Sequence, residues 1–155
     1  MPQNTIVWSC KLLDNFNSRE LYEILAMRIA VFVVEQNCVY QELDGKKDFY
    51  SHHLAGYVHG ELVACARLVP PGISYEEMSI GRVITSPKHR GEGYGKALIA
   101  QALTELESLF GKHPVRISAQ LYLQKFYEGF GFEKVSDVYD EDGIPHIEML
   151  RKAGK

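Results

Sequence analysis

One glycine-rich turn constrains this chain more than any other stretch. Ser79-Ile80-Gly81-Arg82-Val83-Ile84-Thr85 is β-prone. Residues 86–96 read Ser-Pro-Lys-His-Arg-Gly-Glu-Gly-Tyr-Gly-Lys, and residues 97–102 have helical composition. Gly91, Gly93 and Gly95 therefore sit where a helix begins. Without a Cβ, the backbone there reaches unusual dihedrals and keeps its amides open to a ligand. The first amides of a helix lack internal partners and carry partial positive charge. A strand, this turn and a helix in succession suit a phosphate or pyrophosphate.

Three glycine-rich patterns compete for the stretch. A Walker loop requires Gly, four residues, then Gly-Lys-Ser/Thr. Gly91 and Gly95-Lys96 are one residue too close for it, and Ala97 replaces the metal-binding hydroxyl. The dinucleotide fingerprint needs G-x-G-x-x-G after a first strand, whereas this chain has G-x-G-x-G in mid-chain. The third pattern, Arg-x-x-Gly-x-Gly, is met by Arg90, Gly93 and Gly95. It resembles motif A of the GNAT superfamily, the acetyl-CoA-dependent N-acetyltransferases. The plain alternative is a helix start that needs flexibility alone.

The chain has 155 residues, 46% hydrophobic and 24% charged, which fits one ordinary globular domain over residues 1–155. A formal charge of -3 provides no electrostatic footprint for nucleic acid. Cys10, Cys38 and Cys65 are isolated and odd in number, so the expected home is a reducing cytoplasm and the expected role of each is a small buried residue. Apolar runs are short and interrupted by charge, so neither a signal segment nor a membrane span is expected. Assembly state is left open, a homodimer included.

Taken in order, residues 5–13 read as a strand. Asn17 or Ser18 caps an amphipathic helix over 18–30, with Leu21, Ile24, Leu25, Arg28, Ile29 and Phe32 at helical spacing. The run 31–40 fits either helix or strand. Residues 53–59 and 61–69 form a hairpin around His59-Gly60, and Pro70-Pro71-Gly72 ends it. A strand over 78–85 leads into the turn, and its helix runs to Phe110. Leu98, Ile99, Ala102, Leu103, Leu106 and Leu109 form the helix's packing stripe, and Gly111 caps it. A strand over 115–119, a short helix over 121–129, a strand over 132–139, a turn over 140–145 and a strand over 146–150 complete the order. This is an α/β domain with a mixed sheet.

Residues 120–132, Gln-Leu-Tyr-Leu-Gln-Lys-Phe-Tyr-Glu-Gly-Phe-Gly-Phe, resemble GNAT motif B, a short helix ending in Tyr-Glu-x-x-Gly-Phe. The runs 31–40, 80–83 and 139–146 resemble the ElaA-like branch of the superfamily, known mostly as predicted acetyltransferases. The resemblance implies a GNAT-like, mostly antiparallel central sheet flanked by helices, with acetyl-CoA as co-substrate, an amine acceptor and no metal. It implies that Val83, Ile84 and Thr85 lie along the pantetheine on a strand splayed from its neighbour. The turn of Arg90, Gly91, Glu92, Gly93, Tyr94, Gly95 and Lys96 would hold the pyrophosphate. Gln120 stands where the family commonly has a CoA-binding asparagine, and Tyr127 matches the tyrosine that reaches the CoA sulfur.

Acyl transfer from a thioester to an amine needs an oxyanion donor, a proton for the departing thiolate and a base for the amine. Residues 80–85 contain no carboxylate, so the base is sought among Glu35, Glu42, Asp44, Glu141 and His146. Glu35, Glu42, Asp44 and His146 are the acceptor-side candidates. The carboxylates of residues 42–48 read as a solvated face that would attract a cationic amine. Arg67 and Arg82, costly to bury alone, are expected to pair with Glu35 or another acid. The alternative function is a non-catalytic acyl-CoA-binding module, which needs neither acid nor base.

Overall fold

A computed structural model describes residues 5–153; residues 1–4 and 154–155 of the expected domain lie outside the described residues. Strand β1 (Val7–Leu12) leads to helix α1 (Ser18–Ile29), which continues as a π-helical segment over Ala30–Glu35. Asn17 caps α1 in a reciprocal box: its Oδ1 accepts the Glu20 N–H at 2.8 Å, and Glu20 returns an acceptor to the Asn17 N–H at 3.0 Å. The run 31–40, open to either assignment from sequence, is thus helical to Glu35 and irregular beyond. Strands β2 (His52–Val58), β3 (Glu61–Val69) and β4 (Ser79–Thr85) follow. Then come α2 (Tyr94–Phe110), β5 (Val115–Gln120), α3 (Gln124–Glu128), β6 (Phe132–Lys134), β7 (Tyr139–Glu141) and β8 (Ile144–Arg151).

The strands form two four-stranded antiparallel sheets, β1-β2-β3-β4 and β5-β8-β6 with β7 also on β8. Among the described residues, one parallel bridge joins them, Met78 with Val115, where the Arg116 N–H reaches the Met78 carbonyl at 3.0 Å. Beyond it β4 and β5 part. The expectation of α/β architecture with a mostly antiparallel sheet flanked by helices holds.

Helix α2 lays Leu98, Ile99, Ala102 and Leu106 on one face of the first sheet, against Leu54, Leu68 and Ile80. Phe16, Ile24 and Val31 cover the opposite face over Ala55, Leu62, Cys65 and Ile84. With both faces covered, β3 is buried from Leu62 to Val69 instead of alternating. Leu109, expected in the α2 stripe, is exposed and lies outside the buried core. Of the cysteines only Cys65 is fully buried, and burial lifts its thiol to about 12; Cys10 and Cys38 are half-buried.

Two expectations at the C-terminal end are corrected. The strand expected over 132–139 is two strands on the same edge of β8, because residues 135–138 leave the ladder. There the Ser136 hydroxyl accepts the Glu148 N–H at 2.8 Å in place of a strand carbonyl. The turn expected over 140–145 contracts to Asp142-Gly143. Both residues have positive φ, 53° and 82°, the geometry of a tight two-residue hairpin.

The loop over 42–48 is also corrected: part of it is an ionic core, not a solvated face. Glu42 and Asp48 are buried, at 4% and 5% exposure. Arg28 from α1 donates to Glu42 at 2.8 Å and to Asp48 at 2.9 Å. Arg67 from β3 donates to Asp48 at 3.2 Å, and Arg82 from β4 to Glu42 at 2.9 Å. The pairing expected for both arginines is present, with Asp48 and Glu42 in place of Glu35. Tyr40 adds an O–H to Glu42 at 2.6 Å. Burial pushes the Asp48 carboxyl up, but the hydrogen bonds and charge of Arg28 and then Arg67 outweigh it and hold it below its ordinary value. A depressed carboxyl contributes stability that is present above its unfolded pKa and lost as pH falls through the folded one. Asp48→Asn, which leaves Arg28 and Arg67 short of charge, is expected to cost about 3 kcal/mol at pH 7 by urea unfolding. The deficit should shrink as pH falls below about 4; a constant deficit down to pH 3 would contradict this role.

Candidate active site

The parting of β4 from β5 opens a cavity of about 520 Å³. Its first wall is β4 itself. Opposite Ala66 of β3 the ladder slips, because Cys65 pairs with Ile84 while Arg67 pairs with Gly81. Arg82 and Val83 thus form a bulge, and Arg82 takes φ of 51°, a left-handed value uncommon for a side chain. Such a bulge re-aims the backbone of its strand. Val83, Ile84 and Thr85 line the cavity at this point. The Ile84 side chain turns away into the core beneath α1, so its contribution to the cavity is backbone.

The glycine turn closes one end. Arg90 and Gly95 line the cavity, while residues 91–94 lie between them in the chain. Gly91 and Gly93 take φ of 87° and 83°, and a Cβ at either would meet nothing within 4 Å. Both glycines are therefore required by dihedral angle and face open space. Gly93 precedes α2 with no side-chain cap, so the first amides of α2 are uncapped by side chains. Tyr94 points into the core and packs near His89, so its ring is a structural anchor. Glu92 lies 3.4 Å from His89, and Lys96 is exposed.

Arg90 is not free to meet an anion with its side chain. Its Nη1 and Nη2 donate to Glu35 at 2.7 and 2.6 Å, a bidentate pair across the cavity mouth. The hydrogen bonds from Arg90 hold the Glu35 carboxyl below its ordinary value. Glu35 lines the cavity with its charge matched, whereas Glu42 is locked in the ionic core and Asp44 is exposed outside the cavity, accepting the Lys46 N–H.

The second wall comes from β5, α3 and β8. Tyr127 is 6% exposed, held between Phe126 and Phe132 by edge contacts at 5.1 and 5.8 Å. It lines the cavity, and its hydroxyl has no hydrogen-bond partner among the described residues. Burial pushes the phenol above its ordinary value, so it stays protonated throughout the physiological range. Gln120 and His146 face each other across β5 and β8 as register partners, and both line the cavity. The carbonyl of Ile144 lies 2.7 Å from His146 Nδ1. A carbonyl only accepts, so Nδ1 donates to it, and Nε2 lies 3.8 Å from Glu141. Tyr139 stacks on His146 and shares a hydrogen bond with Ser118.

Sequence reasoning missed the bulge at Arg82 and the Glu35–Arg90 pair. It also missed the ionic core, although Arg28 inside the apolar stripe of α1 was its signal. An arginine on a buried face demands buried acids.

The family model for the acetyltransferase (GNAT) domain matches residues 19–153. The chain is 46% identical over 148 residues to the protein ElaA of Escherichia coli K12, covering 95% of this chain and 97% of that one. The crystal structure of Escherichia coli ElaA superposes with a TM-score of 0.88 at 42% identity in the structural alignment, over 96% of this chain and 100% of that one. A crystal structure of an acyl-CoA N-acyltransferase from Pseudomonas aeruginosa superposes with a TM-score of 0.89 at 44% identity, over 95% and 99%. A strand parted from its neighbour, a glycine turn at a helix start and full-length likeness to these proteins lead to one conclusion: the chain belongs to the GNAT acetyltransferase family and is similar to ElaA.

Proposed function

We propose that the chain transfers the acetyl group of acetyl-CoA to a primary amine by direct attack on the thioester, in a reducing cytoplasm that suits its free thiols. The observation that carries this reading is the unpartnered Tyr127 hydroxyl in the same cavity as the β4 bulge. A binding module has no use for a buried phenol kept protonated beside the strand that orients a thioester.

In this reading the uncapped amides of residues 91–96 hold the pyrophosphate, with the Glu35–Arg90 pair bracing the turn. Gln120 contacts the CoA arm from β5. Backbone amides around Val83 to Thr85 orient the thioester and receive the oxyanion; a preorganised donor of this kind is worth about 3 kcal/mol. His146 Nε2 takes the proton from the attacking amine, directly or through water. The amine nitrogen bonds to the carbonyl carbon, the C–S bond breaks, and Tyr127 gives its proton to the thiolate.

Following free thiol while acetyl-CoA is offered with an amine panel tests the reaction; CoA binding without turnover on any amine would refute it. Tyr127→Phe is expected to lower kcat by about 10²-fold or more with little change in the KM for acetyl-CoA. Because burial raises the Tyr127 phenol above the ordinary value near 10, its proton is not lost below that pH. Rates should therefore show no alkaline decline up to about pH 9.5 that Tyr127→Phe abolishes; such a decline would remove the acid role. His146→Gln should lower kcat/KM by about 10²-fold.

A further inference from the structure

The cavity already holds an amine of its own. Of the lysines among the described residues, Lys47 alone lines it. The main chain at Lys47 is fixed: its carbonyl accepts the Tyr50 N–H at 3.1 Å and the hydroxyl of the buried Ser51 at 2.8 Å. The next residue, Asp48, is locked into the ionic core by Arg28 and Arg67. A fixed backbone thus carries a flexible four-carbon stem to the acceptor side of the site. Lys46, one residue earlier, is exposed and off the cavity.

The ammonium of Lys47 has no partner. Among the described residues its side chain makes neither a hydrogen bond nor an ion pair. The nearby acids are taken. Glu42 holds Arg28 and Arg82, and Asp48 holds Arg28 and Arg67. Glu35 is bound by Arg90, and Asp44 accepts the Lys46 N–H outside the cavity. Partial burial pushes the Lys47 ammonium below its ordinary value, and the charges of Arg67 on β3 and Arg82 on β4 push the same way. Glu141 on β7 and Asp44 on the same loop oppose them only in part. A desolvated lysine beside other cations offers more free amine at neutral pH, and free amine is what attacks a thioester.

Its surroundings are those of the reaction. Arg82 is the left-handed residue of the β4 bulge and adjoins Val83, where the thioester is proposed to lie. Tyr127 and His146 line the same cavity as Lys47. Acid, base and amine therefore face one space.

Resting on the acyl transfer proposed above, we propose that Lys47 is an internal acetyl acceptor, modified by its own chain when acetyl-CoA is bound and no free amine fills the acceptor side. The ammonium first releases one proton to solvent. Nζ then bonds to the thioester carbonyl carbon and the C–S bond breaks. The surplus proton on nitrogen passes to His146 or water. Tyr127 protonates the thiolate and regains its proton from solvent. The products are Nε-acetylated Lys47 and free CoA. The new amide has lost its charge and occupies the acceptor side, so the modified chain transfers acetyl groups slowly.

Incubating the protein with acetyl-CoA alone, and reading acetylation site by site by peptide mass spectrometry, tests this. Lys47 should be labelled at a rate that saturates with acetyl-CoA and does not depend on protein concentration, about 10-fold or more faster than Lys46. Tyr127→Phe should slow labelling and amine turnover alike, by about 10²-fold. Preincubation with acetyl-CoA should lower turnover of the best amine, and Lys47→Arg should remove that loss. An unlabelled Lys47 in protein that acetylates free amines would overturn the inference and leave acyl transfer standing. Labelled Lys47 without turnover of any free amine would do the reverse. Lys46 labelled as fast as Lys47, a rate that rises with protein concentration, or labelling untouched by a Tyr127→Phe change that slows turnover would also overturn it.

Discussion

The two sheets of this protein meet through a single backbone bridge, Met78 with Val115, among the described residues. Everything at the site follows from that economy. A strand paired on both edges has no amides to offer a ligand; β4 is paired with β3 and then parts from β5, so its second edge faces a cavity. The bulge at Arg82 adds a local change of direction at the same place. The parting is held open by packing: α2 anchors the first sheet, and α3 with Tyr127 and Phe132 fills the base of the second.

The acceptor side is built on different physics. Helix α1 has only Ile24 and Arg28 fully buried, and Arg28 spends its charge on two acids from the following loop. That loop is fastened to β3 and β4 through Arg67 and Arg82. Buried ion pairs contribute modest net stability but are costly to break, which gives a long irregular segment one defined position. The same network leaves Arg67 Nε buried without a partner.

Much of this was legible in the sequence, for identifiable reasons. Gly91 and Gly93 announced the turn because only glycine tolerates their positive φ readily, and the helix behind it announced itself through its apolar stripe. His59-Gly60 marked its hairpin in the same way. What could not be read depended on tertiary partners. Nothing local distinguishes Glu42 from Asp44, yet one is sealed beneath two arginines and the other is exposed. The break between β6 and β7 depends on a Ser136 hydroxyl meeting a strand twelve residues on. The bulge was missed because its left-handed residue is an arginine, although Gly81 beside it in the strand was a signal. The candidate site followed the same division: its glycine turn and Tyr127 were readable by pattern, whereas the Glu35–Arg90 pair exists only once the segment after α1 meets the turn.

The account turns on the parted edge of β4 as the place where the CoA arm lies. Titrating CoA into isotopically labelled protein and following backbone amide shifts tests this most directly. The largest changes are predicted at Val83 to Thr85 and across residues 91–96, with Asp44 and the β1–β2 edge unmoved. Saturable CoA binding that leaves the amides of Val83 to Thr85 unperturbed would contradict the account.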